Sequence, residues 1–109
     1  MTRLPMSKAA AAVLRALLAR TGEKQNRILL SGLRSTDWQS LTFTGERHQF
    51  AFHIVGSDAA IVHDRLVTAL ADAEFTIAGQ IVADIEARPA IRSADGSIDV
   101  TVEALTIAE

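Results

Sequence analysis

Gln49-Phe50-Ala51-Phe52-His53-Ile54-Val55, followed at once by Gly56-Ser57-Asp58, is the stretch on which the fold turns. Phe50, Phe52 and Ile54 recur at every second position with Gln49, Ala51 and His53 between them, the period of a strand with one buried face. Gly56-Ser57-Asp58 then supplies a turn and helix-capping side chains, and the period changes. Val62, Leu66, Ala69, Leu70 and Ala73 share one helical stripe, which predicts a helix ending near Asp72.

Upstream, residues 38–55 read as one long strand or as two joined at Thr44-Gly45-Glu46, and residues 26–34 form a short apolar strand candidate. Trp38 falls at a strand start, where it serves either as a core anchor or as an exposed aromatic in a subunit contact. Four of the five aromatic residues lie in residues 38–52, so this segment is expected to supply much of the core volume. Earlier still, Ala10, Val13, Leu14, Leu17 and Leu18 mark an amphipathic helix over residues 7–20. Ser7 is its expected N-cap, Gly22 a left-handed stop, and Arg20 a cation suited to the negative end of the dipole.

Downstream, residues 80–87 alternate, with Ile81, Ala83, Ile85 and Ala87 expected inward and Asp84 and Glu86 outward. Residues 98–104 repeat the scheme, with Ile98, Val100, Val102 and Ala104 on one side and Asp99, Thr101 and Glu103 on the other. Asp95-Gly96 between them is a hairpin signal, and Pro89 requires a bend, a bulge or an edge. The order α-β-β-α-β-β predicts an α+β fold: a mostly antiparallel sheet of about four strands with two helices packed on one face and a polar, acidic opposite face.

The 109 residues form a single expected domain, residues 1–109, with 49% hydrophobic residues, 22% charged residues and a net charge of -2. No repeat, linker or low-complexity segment divides it, and residues 1–5 and the last few are expected to be loose. The absence of cysteine removes disulfides, thiolate nucleophiles and sulfur-ligated metals, and makes the cytoplasm the default compartment. No apolar stretch approaches the roughly 20 residues of a membrane span, and no signal-peptide pattern is present.

Charge is unevenly spread. Residues 1–34 hold seven basic side chains against one acid, and residues 35–109 hold four against twelve. The asymmetry suits a basic arm for nucleic acid, a self-complementary assembly of basic end on acidic face, or a solvated surface. Arg15, Arg20, Arg27 and Arg34 are the basic candidates, and Asp84, Glu86, Asp99 and Glu103 the acidic ones. The basic segment has no aromatic platform on which bases would stack, so specific nucleic-acid binding is not expected.

Enzyme chemistry finds little purchase. His48, His53 and His63 lack metal-ligand spacing, with His48 and His53 on opposite strand faces, so neither metal nor cofactor is expected. The four outward acids have no apolar rim to tune them. Ser31, Ser35, Ser40 and Ser57 lack a nucleophile elbow, and no glycine pattern matches a phosphate loop.

The pieces Asp37-Trp38-Gln39-Ser40, Gly45-Glu46-Arg47-His48-Gln49-Phe50, Gly56-Ser57, Ala69-Leu70-Ala71-Asp72-Ala73, Ile77-Ala78-Gly79, Ile81-Val82-Ala83-Asp84-Ile85 and Asp95-Gly96 together resemble the small tail-terminator, or tail-completion, proteins of tailed phages and gene transfer agents. The resemblance spans residues 37–107 and is carried by loose motifs; residues 21–33 are shorter than the family's equivalent and lack its proline. It implies a non-enzymatic subunit that forms a ring on the finished tail tube and joins it to the head, with tail-tube and head-connector proteins as partners and incorporation into a phage-like particle. The residue-level alternative is a small dimeric α+β binding module for a small ligand or a partner peptide.

Overall fold

The computed structural model describes residues 6–22 and 27–109. The readings of residues 1–5 as a loose end and of a strand beginning at Asn26 fall outside the described residues.

Helix α1, Lys8–Thr21, begins and ends as its sequence dictates: the Ser7 hydroxyl accepts from the Ala10 amide at 3.1 Å, and Gly22 adopts φ 66°. Its buried stripe is Ala9, Ala10, Val13 and Leu17. The chain then forms a long hairpin of β1, Ile28–Gln39, and β2, Thr44–Ile54. The hairpin reverses at residues 40–43, where the Phe43 amide donates to the Ser40 hydroxyl and the Ser40 amide to the Phe43 carbonyl. Gly45 is therefore inside β2 rather than in the turn, and Trp38 stands near the end of a strand, not at its start.

Helix α2, Ala59–Val67, is shorter than its apolar stripe suggests. Ala69 takes a left-handed φ of 53°, which no α-helix accommodates, and the chain continues as a 3-10 turn, Leu70–Asp72. Leu70 is still buried, so the turn completes the stripe by another route. Asp58 makes no side-chain cap; its carboxylate holds the Arg27 guanidinium at 2.5 Å.

Strands β3, Gln80–Ala87, and β4, Ile91–Arg92, both pair antiparallel with β5, Ile98–Ala108, and the sheet runs β1-β2-β5-β3 with β4 beyond Pro89 on the β5 edge. Asp95-Gly96 lies in the tight β4–β5 turn, with Gly96 at φ 88°. The architecture is α+β, as the sequence predicts, with five strands.

Both helices pack on one face of the sheet. Val13, Leu17, Val62, Leu66 and Leu70 meet Ile28, Phe50, Phe52, Ile54, Ile85, Ile98, Val100, Val102 and Ala104 in one core. At roughly 1.5–3 kcal/mol for each large apolar side chain withdrawn from water, Phe50 and Phe52 are among its main contributors. The helix ends are tied together as well: Arg20 donates to the Leu66 carbonyl at 3.2 Å and to the Thr68 carbonyl at 2.5 Å, and Arg65 donates to the Thr21 carbonyl at 3.3 Å. These cations neutralise carbonyls at helix C-termini.

Two bulges alter the expected faces. Ser31 is the extra residue between Leu30 and Gly32, and Ala83 the extra one between Val82 and Asp84. The second reverses the alternation upstream of it: Val82 turns inward and Ile81, expected in the core, is 52% exposed. Ala83 is exposed too.

Candidate interaction surface

The face of the sheet away from the helices is built from five rows that follow directly from strand register. Trp38, Gly45, Ile107 and Ile81 form one end row; next come Thr36, Arg47, Leu105 and Asp84; then Arg34, Gln49, Glu103 and Glu86; then Gly32, Ala51 and Thr101; and last Leu29, His53, Asp99 and Ile91. Both end rows place large apolar side chains at the sheet's edges, and most of the charge lies in the rows between them, with His53 and Asp99 inside the last row.

All four predicted acids lie on this face, in different surroundings. Glu103 accepts from Gln49 at 3.2 Å and is ion-paired with Arg88; these contacts hold its carboxyl below the ordinary range. Asp99 is 2.8 Å from His53. Asp84 and Glu86 are exposed on the β3 edge, with no ion pair among the described residues, and Glu86 stands directly across from Glu103. Arg34, Arg47 and Arg88 share the same face, so it is mixed in charge rather than acidic.

The predicted basic residues separate. Arg15 and Arg34 are exposed, whereas Arg20 and Arg27 are bound within the chain by the Leu66 and Thr68 carbonyls and by Asp58. An arginine already satisfied in its own chain has less to offer a neighbour. Trp38 is half-buried on the helix-free face opposite Gly45 and does not enter the core between sheet and helices. Beyond it, Leu41 at the hairpin tip is fully exposed and Phe43 is 53% exposed. The aromatic-rich segment thus divides: Phe50 and Phe52 fill the core while Trp38 and Phe43 remain outside it.

Spacing alone does not reveal a buried polar cluster in the sheet. His48 is fully buried; its Nδ1 lies 2.7 Å from the Ser35 hydroxyl and its Nε2 2.9 Å from the Thr106 hydroxyl. Thr106 donates onward to the Glu46 carbonyl at 3.4 Å, so it accepts from Nε2–H and leaves Nδ1 to accept from Ser35. That assignment makes the imidazole neutral, and burial lowers its pKa against the opposing pull of Glu46. Ser35 and His48 therefore resemble a nucleophile and its base in spacing, but no carboxylate orients the ring and the histidine is sealed from solvent. The trio links β1, β2 and β5. Its only sequence signal is that His48 shares the parity of Phe50.

On the helix side, an open groove of about 530 Å³ lies between the end of α2 and the β3–β4 corner, lined by His63, Val67, Leu70, Ala87, Pro89 and Ala90 among others. No group of three or more metal-binding side chains is assembled among the described residues, and none of the described helices is long and apolar enough to cross a membrane. Comparison with protein families, characterised proteins and solved structures finds no match to this chain.

Proposed function

We propose that this protein is a non-enzymatic structural subunit of a phage-like particle, a tail-terminator or head–tail joining protein that works by docking. The observation that carries the reading is the β1–β2 hairpin. From Ser35 to its turn, β1 is exposed or half-buried throughout, and the tip presents Leu41 and Phe43 to solvent with Trp38 behind them. Large apolar side chains at the exposed end of a hairpin, just past the point where β2 joins β5 at Gly45, are costly to leave wet and suit burial against a partner. The family resemblance over residues 37–107, which takes in the hairpin's tip, supplies the kind of partner: the tail tube, the head connector and other copies of the chain.

The test is a tagged pull-down from the native host under conditions that induce particles, with partners identified by mass spectrometry. Recovery of tail-tube or connector proteins is the expected result. Their absence, in a lysate where they are abundant, overturns the reading.

The groove beside α2 favours a second reading, a binding module for a small apolar ligand. Its apolar wall of Val67, Leu70, Ala87 and Ala90, set beside His63 and the charged Asp72, Glu86 and Arg88, combines apolar surface with a few polar groups, as such sites do. Ligand-dependent melting of the isolated protein distinguishes it from the first.

A further inference from the structure

The two edges of the sheet complement one another. Among the described residues no strand pairs with the outer side of β1 or of β3; on β3 only the first residue, Gln80, is engaged, by a local bridge to Ile77. Every neighbouring pair along β1-β2-β5-β3 is antiparallel, so β1 runs opposite to β3. A second copy placed with its β1 beside the first copy's β3 therefore continues the sheet in antiparallel fashion, without inversion.

Continuing each row across that boundary tests whether the side chains agree. In the row of Trp38, Gly45, Ile107 and Ile81, the next side chain after Ile81 is another Trp38. At the other end, Ile91, 69% exposed, is followed by another Leu29, 47% exposed. In the charged row, Glu86 is followed by Arg34. Each edge thus carries an apolar residue at both ends and a charge between them, and the charges are opposite.

Inside the sheet on this face, Glu103 is ion-paired with Arg88 and Asp99 lies 2.8 Å from His53, while Arg47 has no ion pair among the described residues. At the edges of this face, Arg34 on β1 and Asp84 and Glu86 on β3 have no ion pair among the described residues. Glu86 also faces Glu103, a like-charge neighbour that a cation on its other side would offset. Two-fold pairings do worse: β1 against β1 brings no acid to Arg34, and β3 against β3 sets Asp84 and Glu86 against their own kind.

We propose that β1 of one copy pairs with β3 of the next, joining copies head to tail through a continuous sheet, with a second copy of this chain as the occupant of each edge. Such a contact is heterologous, so it propagates until the rotation per copy closes a ring or continues as a filament. Main-chain hydrogen bonds supply the adhesion, and the side-chain rows fix the register. The proposal deepens the structural reading above by naming its self-contact.

The experiment is sedimentation of the purified protein over a concentration series, with Arg34→Glu, Glu86→Arg and the double variant. Wild type is expected to self-associate. Each single reversal sets like charges across the joint and raises the dissociation concentration about tenfold or more; the double variant, with opposite charges restored, returns close to wild type. Circular dichroism checks that all four proteins are folded. Oxidised Leu29→Cys/Ile91→Cys is expected to give a reducible ladder of multimers. The two positions lie at opposite edges of one sheet, roughly three strand spacings apart, and cannot bridge within a chain.

A wild type that stays monomeric, a Glu86→Arg variant that assembles like wild type, or a double variant no better than the singles overturns the proposal. Those outcomes leave capture of tail proteins untouched. Conversely, an empty pull-down with intact charge-swap rescue overturns the particle reading alone.

Discussion

A methyl group on Gly45 would lie 1.9 Å from the carbonyl oxygen of Thr106 on the neighbouring strand β5. Neither backbone can retreat without breaking the ladder, so Gly45→Ala is expected to destabilise the fold by about 3 kcal/mol, read from urea unfolding. The neighbouring trio behaves differently, because its weakness is to acid. His48 has its pKa lowered from 6.5 in the folded protein by burial, while the unfolded chain takes up its proton at the ordinary value. The unfolded state thus binds more protons just below that pH, and stability falls as the pH drops through and below 6.5. Ser35 and Thr106 face the ring as hydroxyls, and Glu46 is the one charge that opposes the shift. His48→Gln is expected to flatten the urea midpoint over that range. A slope unchanged from wild type would assign the acid sensitivity elsewhere.

Elements were legible where their signals are local. Ser7 and Gly22 bound α1 as read, and the strict alternation of Phe50, Phe52 and Ile54 and of Ile98 to Ala104 gives the two central strands their faces. Ile81 departs from its expected face because a bulge is settled by the partner strand, here at Leu105 and Thr106, which no window around residues 80–87 contains. The hairpin turn was misplaced for a similar reason: Gly45 looks like a turn residue, yet it is glycine because Thr106 crowds it. The candidate surface was legible residue by residue, since the acids do share a face, but their partners Arg88, Gln49 and His53 come from other strands. At the end of α2, the stripe of Leu66, Ala69 and Leu70 concealed a break, and Ala69 is held left-handed at a cost of about 1–2 kcal/mol. Ala69→Gly removes that strain against a smaller entropic loss and is expected to stabilise the protein by up to about 1 kcal/mol, raising its melting temperature.

At the scale of the molecule, the sheet does two jobs. One face is sealed by α1 and α2, and the other is open, with the hairpin tip beyond. Leu41 and Phe43 are exposed and outside the core, so Leu41→Ser/Phe43→Ser is expected to leave unfolding within about 0.5 kcal/mol of wild type. The same double variant is expected to reduce recovery of partner proteins from the lysate. A parallel loss of stability would mean that the tip belongs to the fold rather than to a docking surface.

The place of β5 has a consequence for biosynthesis. It lies between β2 and β3 in the sheet and also pairs with β4, yet it is translated after all of them. Until the ribosome has released it, β2 and β3 each wait with an unpaired side, and Phe50 and Phe52 wait for Val100 and Val102. Only the β1–β2 hairpin can close early, because its contacts are near in sequence, and the remaining pairings bear the slower search that distant strands require. A nascent chain stalled before Ile98 would therefore carry sticky strand edges, and its safe passage depends on how quickly the eleven residues of β5 follow.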